Sequence, residues 1–586
     1  MTENSIPISK QIDFFNWQLK ELHDEFAAYL NTQMKQHFVN REGFKGKIHG
    51  VDRTRGNLMI EFDAFSGPRL NTPYECFLFG GLTDPENINS WSMTYEKFRS
   101  QFAKLTSSIL PIFYLNPNTN NKVIIGFKDL DIEFVEFLEN LLEQGKKPSI
   151  IIARKDPPYQ YLINLKKYIE NNPSDEVLNI SFKGSLENWI PETIENSDEL
   201  CSEVIKKLNS DKEVIIQGPP GTGKSTLISV IVSELLNQGD SICICALTNK
   251  ALMEIADKKA IKDISKSGRV YKTNLTLNEQ RENIQLKKSE GLTVGKSELL
   301  LATYYKLSDW FNPEKIDSTL NKLPIYDVLI IEEASQSFLA TIAAFKKLGR
   351  KVLIVGDPMQ LAPIVLNENL ATKIHPFMKK YSQGLSSYVA NNNAPAYMLQ
   401  DTYRLSLNAA KQTSQFYNKP IHSKQEKRKI VITSNSRQYI DMEGATKIKY
   451  LPILSEKSGQ HAVIDLCRQI VQDIDQNNDS ISIAVLSPFK KTVLSLQETI
   501  NQNLNSKNEI TIETIDRIQG LTVDFCIVAL TLDNPTFALD INRINVATSR
   551  AKSGTLIITD KDFLRFKGIH PKVTKYLNSL EIVENQ

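Results

Sequence analysis

The sequence is poor in cysteine, has no long apolar run and carries no excess of either charge. Its six cysteines are scattered over 586 residues, and no Cys-x-x-Cys pair meets a second pair or a histidine at zinc-site spacing, which excludes a disulfide framework and a structural zinc site. Lysine plus arginine (70) nearly equals aspartate plus glutamate (68), so no global charge draws the chain to a polyanion. No apolar run approaches the ~20 residues of a membrane span, and the N-terminus lacks a signal-peptide pattern. We therefore expect an intracellular, cytoplasmic protein that does not engage a membrane.

The first 190 residues mix two periodicities. Apolar residues recur every three or four positions over 12–29, which predicts a long amphipathic helix that either packs on its own domain or projects as a stalk. The stretch 46–63 alternates with period two around a Gly-Asn turn, which predicts a hairpin and a small β domain. Beyond Tyr95 the pattern defines no topology.

The rest of the chain alternates short Ile/Val/Leu runs with helical segments, which is typical of parallel-sheet α/β domains. The predicted strands are 214–216, 242–246, 328–331, 352–355, 483–486, 525–530 and 556–558. An Asn-rich turn at 391–395 separates the first four from the last three. We therefore expect an accessory domain over 1–190 and two α/β domains over 191–388 and 389–586.

The strongest chemical signal is the run Gly-Pro-Pro-Gly-Thr-Gly-Lys-Ser over 218–225, which matches the phosphate-binding P-loop pattern in full. A β run precedes it and a helix with one apolar face follows it. Backbone N–H groups converge on phosphates at such a helix N-terminus, the Lys224 ammonium reaches the β- and γ-phosphates, and the Ser225 hydroxyl can hold Mg²⁺. The predicted nucleotide-binding residues are Gly218, Pro219, Pro220, Gly221, Thr222, Gly223, Lys224, Ser225 and Thr226.

Two glutamates follow the predicted strand at 328–331. A P-loop needs an acidic partner at the end of a neighbouring strand, because the metal ion must be held and the attacking water positioned. We assign Glu332 to the metal and Glu333 to general-base work on water. The cofactors predicted are therefore ATP and Mg²⁺.

Five further motifs follow in order along the chain. They are Ala-Ser-Gln at 334–336, Gly-Asp-Pro-Met-Gln-Leu-Ala-Pro at 356–363, Leu-Gln-Asp-Thr-Tyr-Arg-Leu at 399–405, Asp-Arg-Ile-Gln-Gly at 516–520 and Asn-Val-Ala-Thr-Ser-Arg-Ala-Lys at 545–552. With the P-loop and the two glutamates, this ordered set resembles the superfamily 1 helicases, and within them the up-frameshift-like branch of RNA and DNA helicases. The resemblance covers residues 198–586.

The resemblance implies an α/β fold class with two tandem RecA-like parallel-sheet domains, preceded by an α+β N-terminal domain with a helical stalk and a small β-barrel-like region. It implies that ATP binds in the cleft between the RecA-like domains. Arginines from the second domain would neutralise the charge that develops on the transferring phosphoryl group. The implied catalytic residues are Lys224, Glu333, Gln360, Arg404 and Arg550, and the further nucleotide contacts are Gln336, Tyr403 and Gly520.

The resemblance also places single-stranded RNA or DNA across both domains. Contacts to the phosphodiester backbone alone would make this binding tolerant of sequence. For any single Thr or Ser in the set, a role as a strand-end cap explains its presence nearly as well. The implied contacts are Thr248, Asn249, Thr303, Pro363, Ser487, Pro488 and Thr514.

Three features depart from the family pattern. Glu332 stands where the metal-side acid is usually aspartate, and its longer arm alters how it reaches an ion with tight octahedral geometry. No glutamine occurs over 161–216, where the family usually carries one to read adenine; Asp198 or Glu199 lies near that place. Thr522 stands where a glutamate usually follows the Gln-Gly pair. These departures put nucleotide selectivity and turnover in question.

Three functions are compatible with these residues. We favour an ATP-dependent helicase or translocase that moves 5′ to 3′ on single-stranded nucleic acid. The second is an NTP-gated nucleic-acid-binding switch with weak hydrolysis, as the departures suggest. The third is a scaffold in which residues 1–190 recruit a protein partner. A monomer is the default of the family.

Overall fold

The computed structural model describes most of the 586-residue chain. The described residues are 6–52, 57–63, 67–69, 72–79, 91–102, 105–115, 122–146, 148–193, 197–283, 285–314, 322–425, 430–431, 433, 436–451, 458–501, 508–518, 520–531, 534–560 and 566–584. None of the helices in these ranges combines the length and the apolar character that crossing a bilayer requires.

Two N-terminal helices form a stalk. Helix α1 (Ile8–Asn31) confirms the helix predicted over 12–29, and α5 (Tyr159–Asn171) packs along it. Near the start of α1, the ring of Phe14 lies edge-on to Tyr381 of the first α/β domain, with ring centroids 5.0 Å apart. The other end of α1 packs in one apolar cluster with Phe77 of the β region. The stalk therefore lies on the first α/β domain at one end and carries the β region at the other.

The β region is a closed six-stranded antiparallel barrel within the described residues, in the spatial order β1-β2-β5-β4-β3-β6. Its strands are β1 (Phe44–Asp52), β2 (Asn57–Asp63), β3 (Tyr74–Phe79), β4 (Thr106–Leu115), β5 (Lys122–Lys128) and β6 (Ser149–Arg154). Alternate residues such as Ile60, Phe62 and Ile125 point inward and are buried. The pairing of β1 with β2 confirms the predicted hairpin, although residues 53–56 of its turn lie outside the described residues. The helices around the barrel are α2 (Met34–Val39), α3 (Tyr95–Phe102) and α4 (Ile132–Glu143).

The first α/β domain is built on a parallel sheet with nine described strands, in the order β11-β10-β12-β9-β13-β14-β8-β15-β7. The four strands predicted for this domain are confirmed. The strands are β7 (Glu192–Thr193), β8 (Glu213–Gln217), β9 (Ile242–Ala246), β10 (Val270–Lys272), β11 (Lys287–Lys288), β12 (Leu299–Thr303), β13 (Tyr326–Ile331), β14 (Gly349–Gly356) and β15 (Ala396–Met398).

Helices cover both faces of this sheet, so its strands are apolar on both sides. On β9, Cys243 and Cys245 face one apolar layer, whereas Ile242 and Ile244 face the other. Both thiols are buried, which confirms that they belong to the core. The helices are α6 (Ser197–Asp211), α7 (Lys224–Asn237), α8 (Asn249–Ala256), α9 (Lys259–Ser265), α10 (Leu277–Glu282), α11 (Tyr304–Leu307), α12 (Leu339–Lys346), α13 (Glu368–Ile374), α14 (Met378–Ser382) and α15 (Gly384–Ala390).

The second α/β domain has a parallel sheet of six described strands, in the order β20-β19-β21-β22-β18-β23. A separate short pair, β16 (Asp401–Thr402) and β17 (His422–Ser423), precedes it. The strands of the sheet are β18 (Thr446–Tyr450), β19 (Ser482–Ser487), β20 (Glu509–Thr514), β21 (Phe525–Ala529), β22 (Thr555–Thr559) and β23 (Glu581–Ile582). The helices are α16 (Leu407–Thr413), α17 (Ser458–Asn477), α18 (Lys490–Asn501), α19 (Pro535–Ala538), α20 (Ile541–Thr548) and α21 (Pro571–Asn578).

Short 3-10 helices complete the described secondary structure. They are Leu186–Asn188, Ser308–Phe311, Ala334–Gln336, Ser414–Phe416, Arg437–Tyr439 and Ile515–Arg517. Two tandem parallel sheets with helices on both faces are RecA-like domains, so the expected fold class is observed. The domain boundary at 388/389 stays a prediction, and β15, which pairs with β8, continues the first sheet beyond it.

The barrel contacts both RecA-like domains. Arg69 of the barrel region forms an ion pair with Glu513 on β20 at 3.1 Å, and both side chains are largely buried. On the first domain, the Asn278 amide donates a hydrogen bond of 3.0 Å to Asn57 Oδ1 on β2. The barrel thus bridges the two domains at the side where their strands end.

Candidate active site

The P-loop runs from the end of β8 into α7, as predicted. Gly221 and Gly223 have φ angles of +73° and +78°, a region that other residues adopt only with strain. A Cβ on Gly218 would lie 2.2 Å from Cγ of Lys224, and a Cβ on Gly221 would lie 2.4 Å from Cβ of Arg404. The Lys224 ammonium donates a hydrogen bond of 2.9 Å to the Gly218 carbonyl. The glycines therefore allow the loop to wrap around its own lysine and an arginine to approach from the second domain.

The loop opens into a cleft between the two domains. Its empty space is about 670 Å³, including open solvent at its mouth. Twelve of the predicted site residues line it: Pro220, Gly221, Thr222, Gly223, Lys224, Ser225, Glu332, Glu333, Gln360, Arg404, Gly520 and Arg550. Sequence elements more than 300 residues apart thus meet in one cavity.

The two glutamates at the end of β13 have unsatisfied oxygens. Glu332 is 4% exposed, and its Oε2 has no hydrogen-bond partner among the described residues; the same holds for Oε2 of Glu333. Burial, together with the neighbouring charge of Glu333, raises the pKa of Glu332 well above its usual range. Burial also raises the pKa of Glu333 to about 7 and lowers that of Lys224. The site holds buried charge that a cationic and anionic ligand pair can satisfy.

The two predicted arginines reach the cavity from the second domain. Burial lowers the pKa of Arg404 to about 10 and that of Arg550 to about 9. The neighbouring positive charge of Arg404 lowers the pKa of Arg550 further. Arg550 donates to the Val546 carbonyl at 2.8 Å, and Arg404 to the Ser549 carbonyl at 3.3 Å. Among the described residues, both donate to carbonyl or hydroxyl oxygens and neither donates to a carboxylate. A half-buried and a buried cation without a counter-ion favour an anionic ligand.

The segment that carries Arg404 is bonded to the P-loop itself. The Thr402 hydroxyl donates to the Pro220 carbonyl at 2.9 Å. The Tyr403 amide donates to the Gly221 carbonyl at 2.9 Å. The chain therefore enters the second domain while it is hydrogen-bonded to the phosphate-binding loop of the first.

The remaining predicted nucleotide residues lie outside the cavity wall. Gly218 and Pro219 are buried behind the loop, and Thr226 is exposed on α7. Gln336 is half-buried at the end of its 3-10 helix, and the Tyr403 ring is 61% exposed beside the P-loop. Their contacts with a nucleotide stay predictions.

Five residues of the cavity wall carried no predicted role: Glu254, Lys258, Ser335, Gly356 and Asp357. Glu254, on α8, accepts a hydrogen bond of 3.1 Å from the Ser225 hydroxyl. No local sequence signal marks Glu254, because it reaches the cavity only through the packing of α8 beside α7. Ser335, Gly356 and Asp357 stand inside motifs quoted for other residues.

The predicted nucleic-acid contacts of the first domain lie at the carboxyl ends of its strands. The Thr248 hydroxyl caps α8 by accepting from the Ala251 amide at 3.2 Å, and Thr303 caps α11 in the same way. Oδ1 of Asn249 accepts a hydrogen bond of 3.0 Å from the buried Lys272 ammonium. This bond does not use the NH₂ group of the Asn249 side chain. Pro363 is half-buried after the glutamine motif.

The second domain repeats this arrangement. Ser487 and Thr514 are paired in register at the ends of the neighbouring strands β19 and β20. Ser487 is buried and its hydroxyl accepts from the Phe489 amide at 3.4 Å, Pro488 is buried, and Thr514 is half-buried. In both sheets, these residues therefore lie at or just after the carboxyl ends of strands. Their contact with nucleic acid stays a prediction.

The family departures take the following places. Glu332 lies in the cavity wall, as described. Thr522 is exposed, and Glu199 is exposed on α6. The side chain of Asp198 and the whole of Gln519 lie outside the described residues.

Comparisons with known proteins find a family match in each half of the α/β region. Two family models, each described as an AAA domain, match residues 202–365 and 381–562. The chain is 23% identical to the DNA replication ATP-dependent helicase/nuclease DNA2 of Saccharomyces cerevisiae, over 76% of this chain and 29% of the relative. It is 23% identical to the DNA-binding protein SMUBP-2 of Rattus norvegicus, over 93% of this chain and 59% of the relative. It is also 23% identical to the regulator of nonsense transcripts 1 homolog of Neurospora crassa, over 60% of this chain and 36% of the relative. The chain thus spans less than two thirds of the length of each of these relatives.

Proposed function

Because the chain belongs to the up-frameshift-like branch of the superfamily 1 helicases, we propose that it is an ATP-dependent helicase or translocase that moves 5′ to 3′ on single-stranded RNA or DNA. The observation that carries this proposal is the convergence of charged side chains from both domains on one cleft. Lys224 and Glu333 come from the first RecA-like domain, and Arg404 and Arg550 come from the second. Hydrolysis in this cleft depends on the distance between the domains.

The residues divide the work of phosphoryl transfer to water. The P-loop amides and Lys224 bind the phosphates, and Glu333 accepts the proton of the attacking water. A pKa of about 7 places this carboxylate near the pH at which a general base is most effective. Arg404 and Arg550 neutralise the negative charge that develops in the transition state. Closure of the second domain onto the first excludes water from the cleft.

The site fits a magnesium ion. Ser225 and Glu332 supply hydroxyl and carboxylate oxygens, which Mg²⁺ prefers, and Oε2 of Glu332 has no other partner in the described part of the chain. These two residues would hold the ion together with the phosphates. When bound there, the ion would supply positive charge that stabilises the negative charge of the phosphates.

Single-stranded nucleic acid is proposed to run along the strand ends of both sheets. Thr248, Asn249 and Thr303 line the edge of the first domain, and Ser487 and Thr514 line that of the second. Each hydroxyl that accepts a backbone N–H still has its own hydrogen to donate to a phosphate oxygen. Opening and closing of the cleft changes the spacing of the two edges, which is how hydrolysis moves the strand.

The first test is steady-state NTP hydrolysis by the full chain, with and without poly-U RNA and oligo-dT DNA, at low and moderate salt. We expect strong stimulation by one or both polymers, and the loss of hydrolysis in Lys224→Ala. The better polymer identifies the track. Hydrolysis that neither polymer stimulates contradicts a nucleic-acid motor.

A second candidate function is an NTP-gated nucleic-acid-binding switch with weak hydrolysis. Glu332 favours it: this glutamate is buried, its Oε2 has no hydrogen-bond partner among the described residues, and it stands where the family pattern usually has aspartate. Glu332→Asp and Thr522→Glu should each raise turnover strongly if the chain is a switch and little if it is a motor. Single-turnover hydrolysis with saturating nucleic acid distinguishes the two.

We further propose that the chain works as a monomer and that residues 1–190 offer a surface to a protein partner. The bridging position of the barrel supports the second point, because a partner bound there touches both domains. Light scattering of the full chain tests the first point. Capture of a defined partner that is lost when the barrel surface is altered tests the second.

A further inference from the structure

The loop after β14 is inserted into the second RecA-like domain. Met359 and Leu361 of this loop are buried in the same apolar cluster as Phe416 and Ile544, which belong to the second domain. Gln360, between them, lines the nucleotide cleft. The loop therefore touches the cleft with one side chain and the core of the other domain with its two neighbours.

A buried tyrosine joins this loop to the second domain. The Tyr417 hydroxyl donates to Oδ2 of Asp357 at 2.6 Å and accepts from Nδ2 of Asn545 at 2.9 Å. The same Nδ2 group donates to the Met359 carbonyl at 2.8 Å. Both hydrogens of the Asn545 amide are thereby used, and one of them, together with the hydroxyl hydrogen of Tyr417, bonds across the domain boundary.

Asp357 connects this contact to the cleft. Among the described residues its carboxylate accepts from Gln217, from the Met359 amide, from Gln360 and from Tyr417, and only Tyr417 comes from the second domain. The bond from Gln360 Nε2 to Oδ2 is 3.2 Å long and is made to the same oxygen that Tyr417 binds. Asp357 is 1% exposed, so water does not replace a lost donor easily.

The other end of the network leads to an arginine of the cleft. Asn545 lies on α20, and Arg550 follows two residues after the end of that helix. From the same helix, Nδ2 of Asn542 donates to the Gln360 carbonyl at 2.6 Å. The second domain thus contacts the Gln360 backbone directly through Asn542. It contacts the Gln360 side chain indirectly, through Tyr417 and Asp357.

We propose that Tyr417 is a positioning residue that sets the Gln360 side chain when the domains close, and that it thereby lets the cleft distinguish a nucleoside triphosphate from a diphosphate. The inference rests on the proposed function, in which Gln360 resembles the family's sensors of the γ-phosphate and the attacking water, and it adds the residue that links domain closure to that side chain. Tyr417 does not line the cavity, and its hydroxyl reaches the Gln360 side chain through Asp357. Its effect must therefore appear in triphosphate binding and turnover, and not in diphosphate binding.

The chain offers a matched control for the loss of one buried tyrosine hydroxyl. Tyr168 on the stalk is also buried, and its hydroxyl donates to Oδ2 of the buried Asp175 at 2.8 Å. Tyr168→Phe removes the same chemical contact as Tyr417→Phe at a place remote from the cleft. Any general loss of stability is common to the two variants.

The experiment measures the affinity of the full chain for fluorescent ADP and for a fluorescent, non-hydrolysable ATP analogue, and kcat and KM for ATP. For Tyr417→Phe we expect the triphosphate affinity and kcat to fall about tenfold, with ADP affinity within twofold of the unaltered chain. Tyr168→Phe should leave both affinities and kcat unchanged. Asn542→Ala, at a half-buried position, should shift the same ratio in the same direction and serves if Tyr417→Phe does not fold.

Two results overturn the proposal. One is an equal loss of ADP and triphosphate affinity in Tyr417→Phe, which indicates a structural role alone. The other is a ratio of the two affinities that Tyr417→Phe and Asn542→Ala leave unchanged. If the unaltered chain binds neither nucleotide, the proposed function itself fails, and this outcome is distinct because it requires no variant.

Discussion

The nucleotide cleft differs from the edge at which the strands of the two sheets end. The two places differ in whether their polar groups have hydrogen-bond partners. In the cleft, one oxygen each of Glu332 and Glu333 lacks a partner, and the guanidinium groups of Arg404 and Arg550 have no carboxylate partner, within the described residues. At the edge of the first domain, the hydroxyls of Thr248 and Thr303 already serve the fold as helix caps. Buried unpaired charge costs stability, so the cleft is organised around a ligand, whereas the edge is complete without one.

This difference teaches where single substitutions should matter. In the cleft each charged group acts on the reacting phosphate at close range, and water does not compensate for its loss. Along the edge many weak contacts share the binding of one strand, and each is a single hydrogen bond. Four predictions test this contrast, from the largest expected effect to the smallest.

The largest effect is expected from Arg550→Ala. An arginine that neutralises the transition state is worth about 10³–10⁵ in turnover, so kcat for ATP should fall by at least about 10³. Because Arg550 is 1% exposed, thermal unfolding is measured beside steady-state hydrolysis. Arg468→Ala, on α17 and remote from the cleft, should keep kcat within twofold. A loss below tenfold in a folded Arg550→Ala protein contradicts its role in the cleft.

Glu333→Gln should lower turnover by about 10²–10⁴ while ATP still binds, because a general base acts only in the chemical step. Glu254→Gln is the companion variant, since Glu254 lines the same cavity and bonds to Ser225. We expect it to cost less than tenfold. Single-turnover hydrolysis with prebound ATP measures both. Equal losses of turnover in the two variants would contradict the assignment of Glu333 as the general base.

At the edge, Thr248→Ala should weaken oligonucleotide binding by only about threefold to tenfold, the value of one hydrogen bond. Loss of the α8 cap should also cost about 1 kcal/mol of unfolding free energy. Thr248→Ser keeps the hydroxyl and should restore both quantities. Fluorescence anisotropy with labelled oligo-dT and poly-U, together with unstimulated hydrolysis as the unchanged reference, gives the result. A hundredfold loss of binding breaks the contrast between edge and cleft.

The smallest effect concerns the base of the nucleotide. Since no glutamine occurs over 161–216 and the Tyr403 ring is largely exposed, the cleft has few groups that read the base. We expect kcat/KM for ATP, GTP and CTP to agree within about tenfold. A preference for ATP well above tenfold shows that another group recognises adenine.

Much of the fold and of the cleft could be predicted from the sequence because both depend on local patterns. Short apolar runs gave the parallel strands, and the P-loop with its two glutamates gave the floor of the cleft. Glu254 could not be found in this way, because it reaches the cavity only once α8 packs beside α7. The barrel closure was also beyond reach, since β3 pairs with β6 across 69 residues or more of intervening chain.

Neighbouring residues in one motif explain a further limit. Tyr403 and Arg404 are adjacent, and both were assigned to the nucleotide. The structure places Arg404 in the cavity wall and leaves the Tyr403 ring exposed beside the P-loop. The motif therefore identifies the segment and Arg404 as part of the cleft, and the contact of Tyr403 with a nucleotide stays a prediction.

The hydrogen bond from the Tyr403 amide to the Gly221 carbonyl gives the molecule an internal probe of domain opening. In heavy water this amide proton is replaced only when the link between the domains separates from the P-loop. Its exchange rate therefore reports the free energy of opening at a single peptide group, without a label or a substitution. A bound nucleotide that holds the loop and the link together should slow this exchange, and its departure should restart it.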